Sequence, residues 1–236
     1  MATRKSSDSA ANDLIPPRPT LTSLKTAAAG CTACDLWKKG TQTVFGEGAR
    51  RSRVLFVGEQ PGNEEDLTGK PFVGPAGRLF DNALEEAGID RKQTYVTNVV
   101  KHFKWEPRGK RRIHKKPNAT EIAACRPWLD AEIALIKPDV IVALGATAAQ
   151  SLLGPQFRVT KQRGEFIEST LSPYVMATVH PSSILRAPDD ETRKLEYRHF
   201  VNDLKKLARV IKLTPCYTAG LARRVVSSGR HPEPSD

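Results

Sequence analysis

No stretch of this chain is apolar over the ~18–20 residues that a membrane-spanning helix needs. Its start, MATRKSSDSA, lacks the apolar segment of a secretion signal. The protein is therefore expected to work inside a cell. Cysteine is scarce too, with four in 236 residues. In a reducing compartment Cys31, Cys34, Cys125 and Cys216 are not expected to form structural disulfides. Aromatic residues make up only 6%, and acids are outnumbered, 26 against 37 Lys and Arg, for a net charge of +11. A chain this basic meets a polyanion more readily than a neutral ligand; the alternative is a generally solubilising surface. No internal repeat is visible, and the length suits one α/β domain with loose ends.

Residues 1–19, polar with Pro16, Pro17 and Pro19, are expected to be disordered or loosely attached, and 213–236 read the same way. That leaves 20–212 as the folded domain. Within it, apolar strand patterns at Arg53–Val57, Tyr95–Val100, Val140–Leu144 and Tyr174–Val179 alternate with helical patterns. Pro75–Ala87 starts with a proline and stops at Gly88; Asn118 with Glu121 marks another helix start, running to Lys137-Pro138. A short helix to Leu153, an edge strand at Glu165–Ser169 and a closing helix over Glu191–Ile211 complete the pattern. Repeated β-then-α order predicts an α/β fold in three α/β/α layers with a mostly parallel central sheet. Ligands of such sheets bind beyond the carboxyl ends of the strands.

Several polar motifs follow those strands. Gly58-Glu59-Gln60-Pro61-Gly62 is a tight turn that presents Glu59, although an ordinary turn with a solvated Glu fits as well. Asn98 carries the amide donor and carbonyl acceptor needed to read the edge of a base, or simply bonds to backbone. His180-Pro-Ser182-Ser183 offers an imidazole and two hydroxyls suited to phosphate, or to capping a helix. Phe72, in a loop punctuated by glycine and proline, can stack on a base or anchor the core. Asp66 lies close after the Gly58–Gly62 turn and can orient a neighbouring group or cap the loop. Cys31-x-x-Cys34 is half a metal or cluster site that Cys125 and His102 can complete, for zinc or for iron–sulfur. Residues 101–116 hold eight Lys or Arg, one acid and two histidines. Their Lys110-Arg111-Arg112 run suits a phosphate backbone. By spacing alone, His114 is a phosphate contact or a solvated residue.

Together these motifs resemble the iron–sulfur uracil-DNA glycosylases, the class called family 4, over about residues 24–210. The resemblance is carried by Cys31-x-x-Cys34, Gly58–Gly62, Gly69-Lys-Pro-Phe-Val-Gly-Pro-Ala-Gly77, Thr97-Asn-Val-Val-Lys101, Ala124-Cys-Arg-Pro-Trp128 and His180-Pro-Ser-Ser183. Family members have a Cys where this chain has His102, and a shorter connection to the next ligand Cys. Both departures, His102 and the longer connection with Lys110-Arg-Arg-Ile-His114, together with Gln60, are similar to the UdgX subgroup. That resemblance implies the uracil-DNA glycosylase fold and a monomer that excises uracil, preferentially from single-stranded DNA. It further implies that the protein stays covalently attached to the abasic site through His114. It implies a [4Fe-4S] cluster on Cys31, Cys34, Cys125 and His102. Uracil contacts fall to Phe72, Asn98, Gln60 and Asp66, leaving-group stabilisation to His180 and the acidic role to Glu59. DNA contacts fall to Lys110, Arg111, Arg112, Ser182 and Ser183. A multiple-turnover glycosylase and a non-catalytic DNA-binding iron–sulfur module are the competing expectations.

Overall fold

The structure is a computed structural model and describes residues 9–213. In chain order the elements are α1 (Ser9–Asn12), α2 (Leu21–Ala29), β1 (Glu47–Gly48), β2 (Val54–Gly58), α3 (Asn63–Thr68) and α4 (Pro75–Glu86). They continue with β3 (Thr94–Asn98), β4 (Trp105–Arg108), β5 (Arg111–His114), α5 (Ala119–Ile136), β6 (Val140–Leu144) and α6 (Ala146–Leu153). The last are α7 (Val159–Gln162), β7 (Phe166–Ile167), β8 (Tyr174–Thr178), α8 (Pro181–Leu185) and α9 (Asp190–Leu213).

The main sheet runs β1-β3-β2-β6-β8-β7. Its four inner strands are parallel, and β1 and β7 close the edges antiparallel. Strands β2, β3 and β6 are buried along their whole length, which explains the uninterrupted apolar sequence of β2 and β6. Alternate residues feed two cores. Leu55, Val57, Ile141 and Ala143 face α2, α5 and α6, around the fully buried Trp128. Val54, Phe56, Val140 and Val142 face α4, α8 and α9, around Phe80 and Phe200. Each such side chain contributes about 1.5–3 kcal/mol by leaving water. The three α/β/α layers expected from the sequence are present. Among the described residues no helix is long and apolar enough to cross a membrane.

Helix α5 begins as its sequence predicts. Asn118 Oδ1 accepts the Glu121 N–H at 2.8 Å, and Glu121 Oε2 accepts the Asn118 N–H at 2.8 Å. Two readings change. Part of the 1–19 stretch is ordered: α1 packs on α5, and Ala11 is fully buried in the core. Residues 1–8 and most of the 213–236 tail, including Cys216, lie outside the described residues. The basic stretch is not an open loop but a β-hairpin, β4 against β5, with Trp105 opposite His114 and Arg108 opposite Arg111. Its two-residue turn is Gly109-Lys110, with Gly109 at φ +58°.

Candidate functional site

The carboxyl ends of β2, β3, β6 and β8 bring Glu59, Asn98, Gly145 and His180 to one edge of the sheet. Gly58, the last residue of β2, has a steric reason to be glycine. A Cβ there would stand 2.2 Å from Asn98 Oδ1 and 3.0 Å from Phe72 Cζ. Asn98 is 1% exposed, and its Nδ2 finds no hydrogen-bond partner among the described residues. A buried amide left this way costs about 1–3 kcal/mol, a cost removed when a ligand oxygen arrives. Phe72 adopts φ +58°, strained for a residue with a side chain. A Cβ on Gly77 of α4 would lie 1.7 Å from the Phe72 carbonyl oxygen, so this turn depends on that glycine. The Phe72 ring sits 5.3 Å from Phe80 and 6.2 Å from His180.

His180 caps α8, with Nδ1 accepting the Ser182 N–H at 3.1 Å. The ring proton therefore resides on Nε2. Burial, with help from the Arg186 and His114 charges, pushes the His180 pKa down to about 4. The group is a neutral donor near pH 7, not an imidazolium. The Ser183 hydroxyl donates to His180 O at 2.7 Å, and the Ser182 hydroxyl lies 2.8 Å from Nδ1. Both serine hydroxyls contact His180 at the cap.

His114 ends β5, half exposed, with Nε2 3.6 Å from Glu59 Oε1. Burial lowers its pKa, Glu59 opposes that, and Arg186 adds to it. Two residues expected at uracil are instead occupied with the hairpin. Gln60 Nε2 donates to Lys104 O at 3.2 Å and Lys115 O at 3.0 Å, while its Oε1 accepts the Lys104 N–H at 3.1 Å. It clamps the base of the hairpin that carries His114. Asp66, fully buried, accepts from Arg112 Nη1 at 2.6 Å, Thr41 N at 2.9 Å and Thr41 Oγ1 at 2.6 Å. Arg112 also donates to Asn63 at 2.7 Å and lies over the rings of Phe103 and Trp105. Arg112 thus anchors the hairpin. Lys110 and Arg111 are exposed at its tip. Arg186, charged beside both histidines, drew no attention in the sequence; its place six residues after His180 was the available signal.

The cysteines gather on the other side of β3. Cys31 accepts the Trp128 indole N–H at 3.3 Å and Cys125 accepts the Lys101 backbone N–H at 3.2 Å. Burial pushes the Cys125 thiol up to about 12 and raises Cys34 as well; both also feel the Cys31 charge. Thiols this buried become ligands only where a metal supplies positive charge. N–H groups aimed at sulfur are the usual outer support of an iron–sulfur cluster. His102 Nε2 is 3.0 Å from Thr43 Oγ1, whose own proton goes to Ala28 O at 2.9 Å. The ring therefore donates through Nε2, and burial keeps it neutral, which leaves a lone pair on Nδ1. Among the described residues no three His, Cys, Asp or Glu side chains converge on a single ion. A tetranuclear cluster does not require that, since each ligand takes its own iron. Cys31, Cys34 and Cys125 lie near enough to feel one another's charge, and their thiols, with the free His102 Nδ1, are of the types such a cluster takes.

Residues 45–205 match the uracil DNA glycosylase superfamily. A type-4 uracil-DNA glycosylase of Thermotoga maritima is 44% identical over 183 residues, 77% of this chain and 90% of that protein. One from Sulfurisphaera tokodaii is 37% identical, covering 83% of this chain and 86% of its own. One from Archaeoglobus fulgidus is 35% identical, covering 76% and 87%.

Proposed function

Because this chain belongs to the uracil DNA glycosylase superfamily, we propose that it excises uracil from DNA and remains covalently joined to the resulting abasic site through His114. The observation that carries the covalent step is His114 beside Glu59, with 3.6 Å between Nε2 and Oε1, on a hairpin fastened to the site by Gln60 and Arg112.

The exposed tip of the hairpin engages the phosphate backbone, and uracil turns into the pocket at Phe72 and Asn98. Unstacking costs a few kcal/mol in a duplex and less in a single strand, which favours single-stranded substrate. Phe72 stacks on the base. The unsatisfied Asn98 Nδ2 and the neutral Nε2–H of His180 donate to uracil oxygens, where negative charge develops as the C1′–N1 bond stretches. The sugar becomes oxocarbenium-like, as in glycoside cleavage generally. One ring nitrogen of His114 attacks C1′, and the proton of the other ring nitrogen passes to Glu59. The product is a neutral N-glycosyl imidazole, a poor leaving group until reprotonated. The adduct therefore persists, and each molecule acts once.

A [4Fe-4S] cluster would be held by Cys31, Cys34, Cys125 and His102. When bound, it supplies a rigid cross-link between α2, the end of β3 and α5. Lys101 N–H and Trp128 support the sulfurs.

The test is denaturing electrophoresis of the protein with single-stranded DNA containing one uracil, beside a thymine control. The reading requires a band that resists SDS and heat and needs uracil. Alkali-sensitive DNA without that band would indicate a turnover glycosylase, and neither signal a binding module.

The pH profile is a further expected outcome. Attack needs neutral imidazole, and burial places the His114 pKa below the ordinary value of about 6.5. Single-turnover adduct formation should stay level as pH falls through about 6.5 and decline only at lower pH. A midpoint above that value would mean that the Glu59 charge outweighs burial.

The two arginines should separate. Arg111→Ala, at the exposed tip, should lower the slope of log affinity against log salt by about one. Arg112→Ala should leave the slope nearly unchanged yet reduce adduct yield, because Asp66 and Asn63 then lose their hold on the hairpin. Anisotropy titrations across a salt series and the gel assay read the two effects. Equal slopes lost in both variants would return Arg112 to the phosphate contacts.

A further inference from the structure

One polar side chain outside the motifs legible in the sequence touches the reacting pair. Thr147 is the second residue of α6, just past the carboxyl end of β6, and is 6% exposed. Its hydroxyl donates to Glu59 Oε2, while the other carboxylate oxygen, Oε1, faces His114. The same turn abuts the second histidine: a Cβ on Gly145 would come 3.0 Å from His180 Cβ. We propose that Thr147 is a positioning residue that, by holding one oxygen of Glu59, aims the other at His114 and so decides whether the sugar is captured by imidazole or by water. The inference rests on the covalent reading of His114.

The backbone of Glu59 is held where its carbonyl accepts the Val100 N–H at 3.0 Å. Its side chain is longer, and the final torsion of a glutamate is broad. A hydroxyl fastened to Oε2 removes that freedom and leaves Oε1 on the His114 side. Proton transfer needs an approach of about 2.6–3.2 Å, so the 3.6 Å gap must close by a small movement in the right direction. A carboxylate free to swing would spend most of its time elsewhere.

The step balances. The C1′–N1 bond breaks with its electron pair on uracil, and a lone pair of one His114 nitrogen forms the bond to C1′. The proton of the other nitrogen goes to Glu59 and then to solvent, and solvent protonates the uracil anion. If Glu59 is misdirected, the imidazolium keeps its proton and departs again, and water adds to C1′ instead.

Thr147→Val keeps the shape and removes the hydroxyl; Thr147→Ser keeps the hydroxyl. The readout is the ratio of SDS-stable adduct to alkali-cleavable abasic DNA on single-stranded uracil DNA, with total uracil measured in parallel. The Val variant should lower the ratio about tenfold, the loss expected for a hydrogen bond to a charged group. The Ser variant should restore it, and total uracil should change less than the ratio. In a Glu59→Gln background the Val substitution should add less than about twofold, because it acts through the carboxylate. An unchanged ratio in the Val variant, or its full loss repeated in the Gln background, overturns the proposal. Should Thr147→Val fail to fold by circular dichroism, Thr147→Ala against Thr147→Ser is read by the same outcomes. Wild-type protein that forms no adduct would overturn the His114 reading as well, which separates the two failures.

Discussion

His114→Ala is expected to abolish the SDS-stable protein–DNA band while uracil release continues. The groups that ease uracil's departure are untouched by this change. Asn98 and Phe72 stand at the ends of β3 and in the α4 turn, and His180 caps α8. Preorganised donors of this kind are each worth about 10²–10³ in rate, so bond cleavage should survive. Only the nucleophile is gone, and the space left by the imidazole admits water next to Glu59. If His114 is the nucleophile as proposed, the variant should turn over where the parent protein acts once. Gel electrophoresis shows the lost band, and released uracil counted per protein molecule should exceed one. A band of undiminished intensity would place the covalent bond on another residue.

Lys101→Met should destabilise the protein by about 3–5 kcal/mol, the cost of stranding one partner of a buried ion pair. Lys101 Nζ lies 2.5 Å from Glu132 Oε2, with the side chains 1% and 0% exposed. The ammonium also donates to Asn98 O at 2.8 Å. Glu132 Oε1 accepts from Tyr95 OH at 2.9 Å and Gly46 N at 3.1 Å. Removing the cation leaves a carboxylate with neutral donors only, in a core that water does not reach. For a domain of this size the unfolding midpoint should fall by roughly 10 °C. Combining Lys101→Met with Glu132→Gln should recover more than half of that, because the charge disappears while an oxygen remains for Tyr95 and Gly46. Uracil excision should stay impaired in the recovered protein, since the Asn98 backbone has lost its tether. Thermal unfolding with single-turnover excision measures both. A midpoint unchanged by Lys101→Met would mean that the pair contributes nothing net.

Much was legible before any coordinates. The four inner strands, the capped start of α5 and the helix opening on Pro75 follow from patterns within a few residues, and each sits where its pattern predicted. The convergence of Glu59, Asn98 and His180 also followed, because parallel strands must deliver their carboxyl ends to one edge. What the sequence did not show was chemistry that depends on partners distant in the chain. Gln60 and Asp66 have the right groups to read uracil, yet their partners are Lys104, Lys115, Thr41 and Arg112. Arg112 resembles its neighbour Arg111 by composition and differs because a buried carboxylate claims it.

Local spacing and side-chain chemistry were sufficient for the layers, the strand ends and the inventory of thiols, histidines and amides. Folding alone chose which of those groups satisfy one another and which are left open to a ligand. Hydrogen bonds are short-ranged and directional, and hairpin β4–β5 meets α3 and the 39–43 segment only in three dimensions. That meeting turns a basic stretch into a fastened arm, puts His114 beside Glu59, and brings Thr147 to the far side of the same carboxylate.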